Sequence, residues 1–486
     1  MPTLRDNHMK DYDSYVSPFS ERYASKEMQY LFSAHKKFST WRKLWVALAE
    51  SEMELGLKQI TPEMIEEMKE HIDDINYEVA EQYEYKFRHD VMAHIHAYGE
   101  QCPKAKGIIH LGATSCYVGD NTDIIVMKEA LELVKKKLVN VIDILAKFAN
   151  EYKDLPCLGY THFQAAQPTT VGKRATLWLQ DFLSDYYDLE YVLASLKLLG
   201  SKGTTGTQAS FVELFNDKDA PSKLDNLIAK KMGFDGVYPV SGQTYSRKVD
   251  CRVYNILTGI ATSATKMTND IRLLQHEKEI EEPFESNQVG SSAMPYKRNP
   301  MRSERIASLA RYVISNSLNP YMTASSQWLE RTLDDSANRR ITIAEGFLAI
   351  DGVLDLCINV TNGLIVNEKV IEKNLKEELP FMITENILMD KVKEGKDRQE
   401  LHEEIRRLSI QAGNRVKKEG LPNDLFDRLC ASEKLHISKE EKEAYFDAYK
   451  YTGRASEQVT DFLTNDVNPV LKKNKDLLGI KVTINK

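Results

Sequence analysis

Apolar residues recur along much of this chain in steps of three and four. Between about Asn121 and Asn150 they fall at Ile124, Leu131, Val134, Leu138, Val141, Leu145 and Phe148, and the pattern stops before Pro156. That spacing lays an apolar stripe along one helix, and about thirty residues make a rod of roughly 45 Å. A stricter run, Ala175, Leu179, Phe182, Tyr186, Leu189, Leu193 and Leu196, alternates steps of four and three. Val253, Leu257, Ile260, Ala264, Met267, Ile271 and Leu274 repeat it, and a fourth segment from about Ala337 to Val360 carries Phe347, Ile350, Leu354 and Cys357. Long helices with near-heptad seams must pack along their lengths, so the pattern predicts an all-α protein built on a helix bundle. Leu183, Val192 and Leu199 lie off the seams, which predicts helices buried on more than one side and a bundle shared between subunits.

Shorter helices flank the bundle. One is expected from Lys26 to Leu55, stopped by Gly56, and another opens with Thr61 as N-cap and Pro62 as first helical residue. After about Asn367 the chain returns to short, highly charged helical pieces. Three helical domains are therefore expected, at 1–113, 114–366 and 367–486. Interruptions are expected at Gly107–Asp120, Cys157–Thr170, Ser201–Ser210, Gly236–Ser246, Glu282–Pro300 and Arg331–Ser336.

Composition narrows the function classes. With Lys+Arg 65 against Asp+Glu 72 the net charge is −7, so no global positive field draws nucleic acid or acidic lipid, and an anion site must be built locally. Six dispersed cysteines read as reduced thiols. Met1 to Tyr15 has no apolar signal core and no segment approaches 18 uninterrupted apolar residues, which predicts a soluble, cytoplasmic protein. Gly 23 and Pro 15 fall below the usual share of about 7% and 5%, which further favours helices.

The polar interruptions hold the candidate chemistry. Gly290 to Pro300, with two serines, two cations and two prolines, makes a poor helix and a poor strand but a good active-site loop. Ser291 is a weak base unless its alkoxide is stabilised, for which Lys297 is the nearest cation. Thr161-His162 stands before a long helix, where a histidine either titrates in a site or satisfies a helix entry. Arg88-His89-Asp90 with His94 and His96 lacks an i, i+4 ligand pair, so a metal site is not expected; a polar pocket and a histidine-rich surface helix both remain open. The Gly and Thr/Ser loops at His110–Ser115 and Ser201–Gln208 offer amide and hydroxyl donors to an anion or form simple turns. Arg331 to Arg340 gathers three arginines and Ser336 at a helix start, suited either to a phosphate or to capping by Asp335 or Ser336 with salt bridges.

Gly290-Ser291-Ser292-Ala293-Met294-Pro295-Tyr296-Lys297-Arg298-Asn299-Pro300 resembles the signature of the fumarase/aspartase superfamily, and Gly112-Ala113-Thr114-Ser115 and Thr161-His162-Phe163-Gln164 resemble two further regions of it. Arg88 to His94, Ser241 to Tyr245 and Glu330 to Arg340 are similar to the eukaryotic adenylosuccinate lyase family. The likeness runs from about Ser20 almost to the C-terminus. Tyr160 stands where many superfamily members have arginine.

The resemblance implies a three-domain subunit whose long helices form a twenty-helix core in a homotetramer, with each active site shared between subunits. It implies β-elimination of fumarate from small-molecule nucleotides: adenylosuccinate to AMP, and the succinyl-carboxamide ribotide of purine synthesis to its free carboxamide. Ser291 would be the general base, His162 the general acid, Lys297 a stabiliser of developing charge and His89 an orienting group. Thr114, Ser115, Gln243 and Asn299 would bind the succinyl carboxylates. Arg22, Tyr23, Arg305, Arg331, Ser336 and Arg340 would hold the phosphate and nearby groups, with Arg88, Asp90 and Thr161 also lining the substrate. No cofactor and no metal are expected, because the elimination changes no overall redox state.

Overall fold

The computed structural model describes residues 12–484, so most of the Met1 to Tyr15 stretch read above and the last two residues lie outside the described residues. Five long helices form the centre: α1 (Ser115–Glu151), α2 (Val171–Ser195), α3 (Lys248–His276), α4 (Met301–Asn316) and α5 (Asp335–Asn362). Four match the sequence reading. The fifth, α4, follows the polar loop and buries Ile306, Leu309, Ala310 and Val313, an i, i+3, i+4, i+7 stripe that was legible but too short to stand out.

Side-chain ties fix the helix directions. Gly172 lies against the Ala149 carbonyl and the Lys153 backbone, so α2 turns back along α1. Trp178 donates to Asp270 at 2.7 Å and Ser263 to Asp185 at 2.6 Å, so α3 reverses again and runs parallel to α1. α5 is parallel to both, with Arg339 bonded to Asp123 near the start of α1 and Lys137 to Asp355 at 2.8 Å further along. The first ends of α1, α3 and α5 thus lie together, and α1 with 37 residues spans roughly 55 Å to the other end.

Several expectations need correction. The helix expected from Lys26 to Leu55 is two, Lys26–Leu31 and Ala34–Glu54, because Ser33 caps the second by accepting from Lys36 N at 3.1 Å. The interruption expected to reach Asp120 ends at Thr114. Cys157–Thr170 is an antiparallel hairpin, β1 (Pro156–Thr161) and β2 (Gln164–Thr170), rather than a helix entry. Leu183, Val192 and Leu199 are covered within the chain itself, so they do not speak for a shared bundle. The apolar side chains left in solvent on the core helices are others, among them Leu177, Leu273, Ile314 and Ile341.

One continuous core runs from Ala24 through the five helices to Val470, and a second gathers Leu379 to Tyr445. Among the described residues no helix is long and apolar enough to cross a membrane.

Candidate active site

The first end of α1 is a preformed polar cluster. Thr114 is the N-cap but makes no side-chain cap bond, and the positive end of a 37-residue helix dipole lies here. His89 sits opposite as N-cap of the helix Asp90–Gln101. Its Nδ1 accepts from Met92 N at 3.2 Å, which places the ring proton on Nε2, and Nε2 lies 3.4 Å from Ser115 Oγ. Asp90 accepts from Val91 N at 2.8 Å and receives Arg340 at 3.6 Å, while Arg88, in a left-handed conformation, stacks on Tyr85. Gln243 ties the loops together, with Nε2 donating to Thr204 O at 3.2 Å and its own amide to Glu330 O at 3.0 Å.

Beneath this surface lies a buried ionic frame. Arg247, 3% exposed, grips Asp120 with two bonds of 3.1 Å and Asp335 with one of 2.7 Å. Asp335 also accepts from Arg331 at 2.9 Å; burial raises its carboxyl, but Arg247 and Arg331 outweigh that and hold it below the ordinary carboxylate range. Arg339 is spent on Asp250, Asp123 and the Tyr245 hydroxyl. Of the three arginines at this helix start, one is therefore structural, one is half engaged and Arg340 is exposed. Neither Asp335 nor Ser336 caps α5, whose N-cap is Asp334 without a side-chain bond.

The other histidines of the region are structural. His94 stacks on Phe38 at 3.8 Å, and burial, with Arg42 nearby, pushes it down to about 4. His110 accepts from the Trp45 indole at 2.8 Å and is likewise lowered to about 4 by burial. His96 lies against Tyr83 and Phe87. Lys37, over the faces of Phe38 and Trp41 and near Arg340 and Asp90, was passed over in the sequence because a single lysine on an amphipathic helix carries no signal.

The opposite end carries two projecting loops. His162 and Phe163 form the hairpin tip, with φ of 53° and 54°, the both-positive pattern of a tight two-residue turn. Such backbone is uncommon for residues other than glycine and clusters at functional sites. His162 and Thr161 are exposed. The second loop, between α3 and α4, is clamped at its roots. Glu282, 3% exposed, accepts from Arg302 N at 2.9 Å, Ser303 N at 2.8 Å and Ser303 Oγ at 2.9 Å, capping α4 from a distance. Asn299 Nδ2 donates to Gly290 O at 2.8 Å, and a Cβ on Gly290 would meet the Lys297 carbonyl at 1.5 Å, so only glycine fits there. Within the loop, Ser291 Oγ accepts from Met294 N at 3.2 Å and Ala293 N at 3.3 Å, whereas Ser292 and Lys297 are exposed.

The predicted residues thus fall into three groups. His89, Arg88, Asp90, Thr114, Ser115, Gln243, Arg331, Ser336 and Arg340 gather at the first end of α1. His162, Thr161, Ser291, Lys297 and Asn299 belong to the far end, with the Asn299 amide already used inside its loop. Arg22, Tyr23 and Arg305 form the third group: Tyr23 packs on Gly352 and faces Arg305 at 5.9 Å, and Gly352 is twelve residues, roughly 18 Å, along α5 from Arg340. A single chain does not bring the three groups together.

A family model described as "Lyase" matches residues 10–315, and one described as "Adenylosuccinate lyase C-terminus" matches 380–462. The chain is 53% identical to an adenylosuccinate lyase of Saccharomyces cerevisiae, over 96% of this chain and 97% of that one. It is 50% identical to one of Schizosaccharomyces pombe, over 97% and 98%. Among solved structures, a 3-carboxy-cis,cis-muconate lactonizing enzyme of Pseudomonas putida shares the fold with a TM-score of 0.80 at 20% identity, covering 93% of this chain and 99% of that one. With nearly full-length likeness at such identity, this chain belongs to the adenylosuccinate lyase family.

Proposed function

We propose that this chain is a carbon-nitrogen lyase that eliminates fumarate from adenylosuccinate, giving AMP, and from the succinyl-carboxamide ribotide, giving its free carboxamide. The observation that carries this reading is the nearly full-length likeness to lyases named for the first of these substrates.

The chemistry follows from the residues. The Cβ proton lies next to a carboxylate, so its removal builds negative charge there. Ser291 takes that proton. The Met294 and Ala293 amides that already point at its oxygen favour an alkoxide at Ser291 over one at Ser292, and Lys297 supports the developing charge. As the C–N bond breaks, imidazolium at His162 delivers a proton to the departing nitrogen. His89, its tautomer set by Met92 N, offers an N–H to the succinyl group beside Ser115, Thr114 and Gln243. Arg331, Ser336 and Arg340 take the phosphate at the start of α5, and Arg22, Tyr23 and Arg305 reach it from another copy.

This requires a homotetramer in which antiparallel copies bring opposite ends of α1 together. Exposed Leu177, Leu273, Ile314 and Ile341 on the core helices support such an assembly. The three-domain division at 1–113, 114–366 and 367–486 and a cytoplasmic location belong to the same reading. The test is fumarate release with adenylosuccinate, argininosuccinate and malate offered separately. Turnover is expected with the first, and turnover of either other compound with none of adenylosuccinate would sink the proposal.

A further inference from the structure

The hairpin that carries His162 projects from the bundle, yet beside its base stand two charged side chains that the elimination itself does not use, half-buried Arg174 and buried Glu279. Arg174, in the first turn of α2, donates through Nη2 to the Leu158 carbonyl at 2.5 Å, while its Nη1 is buried without a partner. Leu158 is where the strand pairing slips by one residue: Leu158 pairs with Pro168 and Tyr160 with Ala165, so Gly159 alone stands opposite a bulge at Ala166 and Gln167 of β2. A bulge bends a strand and re-aims what lies beyond it, here the tip with His162. Gly159 cannot be replaced without a clash, since a Cβ would stand 2.4 Å from the Gln167 carbonyl. The Arg174 guanidinium also lies 5.8 Å from the Tyr160 ring, so it touches the hairpin on both sides of the bulge.

Glu279 acts electrostatically on the same strand, at Cys157 and Tyr160. It is fully buried in the turn after α3, accepts from Asn374 Nδ2 at 3.2 Å, and leaves Oε2 without a partner. Burial raises its carboxyl, with Asn374 and Arg174 acting in the opposite sense. One orphan is an N–H donor and the other a carboxylate oxygen, and both lie in the electrostatic field of Tyr160 and Cys157. Unpaired buried groups of complementary kind are costly unless they meet directly or through a bound water.

We infer that Arg174 and Glu279 are positioning residues for the general acid: they clamp the bulged base of the hairpin between α2 and the turn after α3 and so fix where His162 points. The inference rests on His162 acting as the acid in the proposed elimination. A misaimed acid slows nitrogen protonation with little effect on substrate binding, because all the proposed binding groups except Thr161 sit on other segments.

The experiment uses the full-length protein with Arg174→Gln, Arg174→Lys, Glu279→Gln and His162→Ala, each checked for assembly and melting temperature. Arg174→Gln and Glu279→Gln are expected to lower kcat by about ten- to a hundredfold, the scale of a small misplacement, with KM within about twofold. The solvent deuterium isotope effect on kcat should rise as proton delivery becomes limiting, and Arg174→Lys should recover part of the rate. Normal kcat in both glutamine variants beside an inactive His162→Ala would overturn the clamp while leaving the acid in place. Rate loss that merely follows loss of the folded assembly would also overturn it, since the pair would then serve the fold. Activity in His162→Ala would remove the acid, and the inference with it.

Discussion

The two ends of α1 are built in opposite ways. At the first end, Arg247, Asp120 and Asp335 lock three segments with buried ion pairs, and the groups above them are already in hydrogen-bond contact, His89 with Ser115 and Gln243 with Thr204. At the far end, His162 and the Ser291 loop stand exposed on segments held firmly only at their roots. Binding groups gain from being fixed before the ligand arrives, because ordering them afterwards costs affinity. Under the proposed mechanism, proton-transfer groups on projecting loops would instead reach a neighbouring copy and exclude water once substrate is bound.

The strongest way to break this contrast is at the open end. Ser291→Ala and His162→Ala should each lower turnover by roughly a thousandfold or more with the assembly intact. Mixing the two inactive variants under subunit exchange should restore activity if each site draws its base and acid from different chains. No recovery under proven exchange would mean that the base and the acid of a site come from the same chain.

At the locked end the largest effect should be on stability. Arg247→Ala leaves Asp120 and Asp335 buried without their shared cation and is expected to cost about 3–5 kcal/mol in urea unfolding. A loss below 1 kcal/mol would mean that the frame is not what holds this end.

A smaller, pH-dependent effect comes from Glu52, fully buried on the helix Ala34–Glu54 with both carboxyl oxygens unpartnered. Burial raises it to about 9 from an ordinary 4.5. The folded chain therefore keeps a proton that the unfolded chain releases. Stability is fully present below about pH 4.5 and declines as pH rises toward 9, by on the order of 3 kcal/mol between pH 5 and 8. Glu52→Gln should flatten that slope; an unchanged slope would place its source elsewhere. Smallest of all, incubation with a chelator should leave the rate unchanged, and a large loss restored by added metal would contradict elimination by side chains alone.

The helices and their seams were legible because burial imposes a period on the sequence. The Ser291 loop was legible because glycine, prolines and adjacent hydroxyls exclude regular structure. The hairpin was not: Cys157 to Thr170 lacks an Asn-Gly or Asp-Gly turn, and its turn is made by His162 and Phe163 against their usual backbone preference. Nor could spacing show that Glu282 caps a helix twenty residues later, that Arg339 would be consumed by Asp250 and Asp123, or that Asn299 would close its own loop. Those are tertiary ties, and a one-dimensional pattern does not carry them.

The uninterrupted 37-residue length of α1 has a further consequence. In an assembly of antiparallel copies this helix is a ruler, since its length sets how far one copy's hairpin stands from the next copy's Ser115. A four-residue insertion, harmless in a surface turn, would shift one graduation against the other by about 6 Å and also rotate it. Length along this rod should therefore tolerate change far less than the loops at either tip.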